Sequence, residues 1–84
     1  MIIKFHRKFK KSIHKQPSKI QAKFKEKFRL FAEDQFHNSL NNHALSGNLK
    51  GWRSINITGD IRVHYEQIGE VIILMDICSH SELY

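Results

Sequence analysis

Two histidines and two arginines in the second half of this 84-residue chain are the side chains best suited to carry out chemistry. An imidazole titrates near neutral pH, so His43 or His80 could accept a proton from a reacting group or donate one to it. Arg53 and Arg62 are permanently charged and can bind a phosphate through two hydrogen bonds. Together these groups would suit cleavage of RNA. That reaction needs a base for the ribose 2′-OH, an acid for the leaving 5′-oxygen and cations for the charge on the phosphorane.

A biased composition is the alternative explanation for these histidines, because the chain has six of them. We expect His6, His14 and His37 to be surface residues. A metal site is a further alternative, since Cys78 and His80 are in phase on one strand. The spacing of a zinc site would require a second cysteine or a close pair of histidines, which this sequence does not have. We therefore expect no metal and no cofactor.

Three strands in the second half must position these side chains. The segments WRSINIT, DIRVHYEQ and EVIILMDIC alternate with a period of two, and tight turns at Gly59 and Gly69 join them as antiparallel neighbours. The alternation predicts a first, apolar face that the helices cover, formed by Ile55, Ile57, Ile61, Val63, Tyr65, Val71, Ile73, Met75 and Ile77. The second face then carries Ser54, Asn56, Asp60, Arg62, His64, Ile72, Leu74, Asp76, Cys78 and His80. Two apolar residues on that second face, Ile72 and Leu74, indicate either a contact with a partner or core packing beneath a further element.

Two helices and a strand are predicted in the first half. The segment MIIKF reads as a strand, and Phe9 and Ile13 indicate a short helix after it. A second helix begins at Ser18, which with Gln21 forms a capping-box pattern, and its apolar stripe is Ile20, Phe24, Phe28 and Phe31. We expect a single domain of residues 1–84 in the α+β class, a small and mostly antiparallel sheet in the order β-α-α-β-β-β, with both helices packed on one face.

The basic residues are concentrated in the first thirty positions. These hold 11 of the 14 Lys and Arg residues and only one acid, Glu26, and the net charge is +6. Such a segment favours a polyanionic partner, although a solvated helix face has the same composition. Membrane insertion would remove the apolar stripe from the sheet, so we expect no membrane partner. One cysteine, no membrane-length apolar stretch and no apolar signal-peptide region after MIIKF predict a cytoplasmic protein.

The segments HALSGNLKGWRS, GDIRVHYE and SHSELY resemble the RelE/ParE superfamily of bacterial type II toxins, most closely its YafQ-like messenger-RNA interferases. The resemblance implies a RelE-like fold, in which two helices flank a small sheet and an RNase site lies on its open face. It also implies cleavage of messenger RNA in the ribosomal A site, by metal-independent attack of a 2′-OH on the adjacent phosphate.

The same resemblance implies roles for four catalytic residues. His43 matches a histidine implicated in catalysis, and His80 matches the histidine of the terminal motif, so the two would share the acid and base roles in either order. Asp60 matches the acid after the turn and would orient or tune an imidazole. Arg62 occupies a commonly basic position that faces the phosphate.

Three further residues are expected to bind substrate. Arg53 matches a commonly basic position, Tyr84 matches an aromatic residue near the scissile nucleotide, and Lys50 lies in the same matching segment as Arg53. The chain departs from the YafQ-like pattern at Asn56, where relatives often have a histidine, and at Ile61, where they often have a tryptophan. Proton transfer would therefore rest on fewer groups.

These observations favour a toxin that acts as a ribosome-dependent endoribonuclease. The expected partners are the ribosome, messenger RNA and a cognate antitoxin protein. Two alternatives are a non-enzymatic, ParE-like toxin that inhibits gyrase and a degenerate member that only binds RNA.

Overall fold

The structure, a computed structural model, describes residues 1–79 apart from the side chain of Cys78. The chain begins with a strand and two helices and ends with three long strands. The strands are β1 (Ile2–Phe5), β2 (His43–Ala44), β3 (Trp52–Asn56), β4 (Ile61–Ile68) and β5 (Val71–Ser79), and the helices are α1 (Arg7–Lys15) and α2 (Ser18–Glu33). Two short 3₁₀ helices, Asn38–Leu40 and Gly47–Leu49, lie in the connection between α2 and β3.

The five strands form one sheet in the order β1-β5-β4-β3-β2. Only β1 is parallel to its neighbour, and the other three pairs are antiparallel. This arrangement confirms the predicted α+β class and the meander of β3, β4 and β5. The two-residue strand β2 was not predicted, because so short a segment has no recognisable periodicity. It pairs with β3 at the edge of the sheet and brings His43 opposite Ser54.

Both predicted helices are present. Helix α2 begins at Ser18 as expected, but the predicted capping box does not form. Pro17 occupies the N-cap position without a side-chain cap bond, and the Gln21 amide donates instead to the Gln16 carbonyl at 2.9 Å. Ser18 already lies inside the helix, so its hydroxyl is not at the capping position. Among the described residues, neither helix is long and apolar enough to cross a membrane.

The hydrophobic core lies between the helices and the first face of the sheet. The rings of Phe31 and Tyr65 meet edge-on with centroids 5.2 Å apart, and both residues are fully buried. Phe9 of α1 and Phe24 of α2 are also buried, with centroids 5.3 Å apart. The aromatic stripe of α2 is therefore core, as its spacing predicted.

A β-bulge in β5 changes which residues of this strand reach the core. His64 of β4 is paired with Asp76, whereas the next residue, Tyr65, is paired with Leu74. Met75 is the extra residue between these pairs. Two residues of the bulged strand then oppose one of its neighbour, and the alternation of side chains shifts by one position.

The predicted faces of β5 are consequently wrong before the bulge and correct after it. Ile72 and Leu74 are fully buried in the core, so core packing and not a partner contact accounts for them. Val71, Ile73 and Met75 were expected in the core but are only half-buried. Ile77, beyond the bulge, lies in the core as predicted.

Candidate active site

Four polar residues form a line across the second face of the sheet. His43 of β2 is paired with Ser54 of β3, Ser54 with His64 of β4, and His64 with Asp76 of β5. Side chains at directly opposed positions lie on one face, with Cβ atoms about 4.5–5.5 Å apart. We call these four residues the polar row. It is the only described part of the sheet where two imidazoles and a carboxylate share a register.

His43 is the exposed end of the polar row. Its Nδ1 lies 2.8 Å from the carbonyl oxygen of Asn41, which can only accept a hydrogen bond. The Nδ1 must therefore carry the proton, and in the neutral ring Nε2 keeps its lone pair. Asn41 adopts the left-handed conformation (φ 45°), which asparagine tolerates better than most residues. The turn and the short strand β2 together fix the orientation of this imidazole.

His64 occupies the buried centre of the polar row, with 1% of its surface exposed. Burial lowers the pKa of His64, because the imidazolium would lose its hydration. The Asp76 carboxylate opposes this effect, whereas His43 and Lys8 add to the lowering of the pKa. The ring of Trp52 lies edge-on to that of His64, with centroids 6.4 Å apart. His64 is therefore held in its neutral form near pH 7.

Asp76 connects the polar row to α1. Its Oδ1 accepts hydrogen bonds from the Ser12 hydroxyl and from the Ile77 amide, both at 2.9 Å. Its Oδ2 lies 3.3 Å from the ammonium group of Lys8. Asp76 is only 9% exposed, and these partners replace the hydrogen bonds to water that its carboxylate loses on burial. Asp76 thus joins α1, through Lys8 and Ser12, to one end of the polar row.

The lowered pKa of His64 predicts a pH-dependent stability. The unfolded chain binds a proton at His64 more readily than the folded chain does. The neutral His64 therefore makes its full contribution to the free energy of unfolding above the unfolded pKa of about 6.5, and this contribution is lost as the pH falls below that value. We expect the free energy of unfolding to decrease between about pH 7.5 and about pH 5.5, and His64→Gln to remove part of this decrease. Urea unfolding at the two pH values measures it.

His37→Gln is the matched control for this measurement, because His37 is exposed. It should retain the full pH dependence of the parent protein. A His64→Gln protein with the same slope as the parent would contradict the assignment.

Arg62 lies beside the polar row on the same face of β4. It is paired with Asn56, and its Nη1 donates to the carbonyls of Thr58 and Gly59, each at 3.0 Å. These bonds hold the guanidinium against the turn between β3 and β4. Asp60 is exposed in that turn, where its amide donates to the Thr58 hydroxyl. The structure thus places Arg62 on the same face as the row and Asp60 in the turn, outside the row.

Arg53 lies on the opposite face of the sheet. It is paired with Tyr65 of the core, its Nε donates to Asn42 Oδ1 at 2.7 Å, and its guanidinium stands 5.4 Å from the centre of the Phe36 ring. Lys50 is exposed and follows the second 3₁₀ helix. The structure does not bring either residue into the polar row.

The remaining predicted histidines and aromatic residues fall into two groups. His6, His14 and His37 are exposed, as expected. The predictions for His80 and Tyr84 lie outside the described residues.

The pairing of His64 with Asp76 was missed by the sequence analysis. Alternation placed both residues on the second face, but the bulge decides that they are directly opposite. The contacts of Asp76 with Lys8 and Ser12 were missed as well, because they join segments that are far apart in the chain. One signal in the sequence pointed to these contacts: Asp76 lies inside an apolar strand, and a buried carboxylate requires a hydrogen-bonding or charged partner.

Several solved structures share this architecture. YafQ from E. coli strain BL21(DE3) superimposes with a TM-score of 0.83 at 16% identity, over 98% of this chain and 96% of that chain. YafQ in the E. coli DinJ-YafQ complex superimposes with a TM-score of 0.76 at 17% identity, over 98% of this chain and 96% of that chain. The YoeB/ParE toxin from Agrobacterium tumefaciens superimposes with a TM-score of 0.76 at 16% identity, over 95% of this chain and 99% of that chain. At these identities the comparisons establish the shared fold.

A family model for YafQ, the bacterial toxin of a type II toxin-antitoxin system, matches residues 1–84. The chain belongs to this family. It is therefore a YafQ-like type II toxin, as the resemblance implied. A comparison with curated proteins gives no match.

Proposed function

We propose that this toxin is a ribosome-dependent endoribonuclease that cleaves messenger RNA in the A site. Membership of the YafQ family supports a toxin role. The observation that best supports the reaction type is the exposed His43, whose Nδ1 proton is held by the Asn41 carbonyl. An oriented imidazole with an available Nε2 is the group that a 2′-OH attack requires. Arg62 supplies a cation on the same face.

The proposed reaction is a transesterification without a metal. Nε2 of His43 takes the proton of the ribose 2′-OH as that oxygen attacks the adjacent phosphorus. The bond from phosphorus to the 5′-oxygen breaks, and His80 donates a proton to the leaving oxygen. The products are a 2′,3′-cyclic phosphate and a 5′-hydroxyl. Arg62 stabilises the negative charge of the phosphorane, and Asp60 orients or tunes an imidazole.

Substrate binding would involve Tyr84, which stacks on a base, and Lys50, which contacts a phosphate. Arg53 has a different position, because its guanidinium is turned toward Asn42 and Phe36. Its proposed contribution to substrate binding therefore requires that it leave these contacts or meet RNA from the edge of the sheet.

The proposed macromolecular partners follow from charge and from family membership. Helices α1 and α2 carry most of the basic residues of a chain with net charge +6, which suits contact with ribosomal RNA phosphates. E. coli YafQ has been solved with DinJ as a toxin-antitoxin complex. We accordingly propose a cognate antitoxin for this chain and a cytoplasmic location.

Mapping of RNA 5′ ends by primer extension in a translating extract tests the proposal. The parent protein is compared with His80→Ala and with an extract that lacks ribosomes. Cuts within codons that require both ribosomes and His80 are the expected result. Intact messenger RNA, in the presence of folded protein, would overturn the nuclease assignment. Growth arrest that persists in His80→Ala with intact messenger RNA would favour a gyrase-inhibiting toxin.

A further inference from the structure

An apolar cleft lies between α1 and α2. It has a volume of about 330 Å³, and its floor is formed by Phe5, Phe9, Ile13 and Phe24. A cleft of this size has room for a few large apolar side chains. The floor is formed by one strand and two helices: β1 contributes Phe5, α1 contributes Phe9 and Ile13, and α2 contributes Phe24.

Four phenylalanines form a closed cycle of ring contacts beneath this cleft. Phe5 meets Phe9 and Phe28 with centroids 5.7 and 5.9 Å apart, and Phe24 completes the cycle at 5.3 Å from Phe9 and 5.5 Å from Phe28. Phe9 is 2% exposed and Phe24 is 7% exposed, but Phe5 is 41% exposed. A large aromatic ring left this exposed over a packed cluster is typical of a contact surface.

The rim of the cleft is basic. Lys10 and His14 border it on α1, and Lys25 borders it on α2. Glu26, the one acid in the first thirty residues, is already within 3.4 Å of Lys23. Lys10 and Lys25 therefore face solvent without an acidic residue of this segment to balance their charge, and they would attract a negatively charged partner.

We propose that this cleft is the docking site for an acidic amphipathic helix of a protein partner. Apolar side chains of that helix enter the cleft and contact Phe5, and its flanking carboxylates pair with Lys10 and Lys25. A groove between two helices is a common receptor for a third helix, which inserts residues spaced at i, i+3, i+4 and i+7. The occupant is identified as the antitoxin only through the proposed function, whereas the binding chemistry follows from the cleft itself.

A second copy of this chain is a poorer occupant. Each copy carries a net charge of +6, and the basic rims would meet each other in a symmetric dimer. Like charges at an interface oppose association. An acidic helix instead satisfies the apolar floor and the basic rim together.

Two synthetic peptides provide the test. One is a helix of about 16 residues with leucine and phenylalanine at the i, i+3, i+4 and i+7 positions and glutamate elsewhere, and the other has lysine in place of each glutamate. Isothermal titration with the full-length protein should detect binding of the glutamate peptide only. Phe5→Asp should weaken it at least about tenfold, whereas Ile68→Asp, which alters another exposed apolar side chain away from the cleft, should not.

A second pair of variants tests the cleft even if the Phe5→Asp protein does not fold. Lys10→Glu combined with Lys25→Glu reverses the charge of the rim at two exposed positions and should also weaken peptide binding about tenfold. Lys19→Glu, at an exposed position of α2 outside the cleft, is the matched control. Circular dichroism of every variant establishes that it is folded.

Three outcomes would overturn the proposal. They are no binding of the glutamate peptide, equal binding by the cleft variants and the controls, and equal binding of the lysine peptide. Sedimentation showing a dimer that Phe5→Asp dissociates would instead assign the cleft to a second copy. The titration contains no RNA or ribosomes, so a failure of the nuclease proposal in the translating extract leaves its result unchanged.

Discussion

Replacing His43 by alanine is expected to lower the rate of the proposed messenger-RNA cleavage by about 10²- to 10⁴-fold, the usual contribution of a general base or acid. The reason is the geometry of the imidazole. Its Nδ1 is held at 2.8 Å from the Asn41 carbonyl, so that a neutral ring presents Nε2 to solvent on the face that carries Arg62. Quantitative primer extension in a translating extract, at matched toxin concentrations, measures the cleavage rate.

His37→Ala is the matched control for His43→Ala. His37 is also exposed and lies six residues earlier, but its Nδ1 accepts a hydrogen bond from the Ser39 amide at 3.1 Å. This ring therefore has the opposite arrangement of donor and acceptor, and it lies outside the polar row. We expect cleavage by His37→Ala to stay within a factor of about two of the parent rate. Equal activity of the two variants would exclude His43 from proton transfer.

Replacing Leu74 by alanine is expected to lower the free energy of unfolding by about 2–5 kcal/mol, because it leaves a cavity in the core. Leu74 is fully buried opposite Tyr65. At about 0.05–0.15 kcal/mol per residue, a folded chain of 84 residues has a total stability of about 4–13 kcal/mol. The variant should therefore lose a large part of its stability, which the midpoint of urea unfolding reports.

Ile73→Ala is the matched control, because Ile73 is the adjacent residue of the same strand and is only half-buried. We expect its loss to be less than half of that at Leu74, because less apolar surface returns to water. Strict alternation along β5 predicts the reverse order. A larger loss at Ile73 than at Leu74 would therefore contradict the bulge at Met75.

Local patterns were sufficient for both helices and for four of the five strands. The stripe that includes Phe24 and Phe31 predicted α2, and the period-two segments predicted β3, β4 and β5, since each pattern depends on residues a few positions apart. The connection between α2 and β3 was predicted only as a polar loop. It also contains Leu40, which is fully buried, and strand β2, whose pairing depends on β3 rather than on its own sequence.

By itself the sequence determined the α+β class, the concentration of positive charge in the first thirty residues, and the face of β4 that carries Arg62. Each of these depends only on the order of neighbouring residues. Tertiary structure decided the composition of the polar row. His43 reaches Ser54 through β2, and Asp76 faces His64 because the bulge shifts β5 by one residue. Asp76 also bonds Ser12, which is 64 positions away in the chain. Such contacts form only when distant segments pack together, so no local pattern contains them.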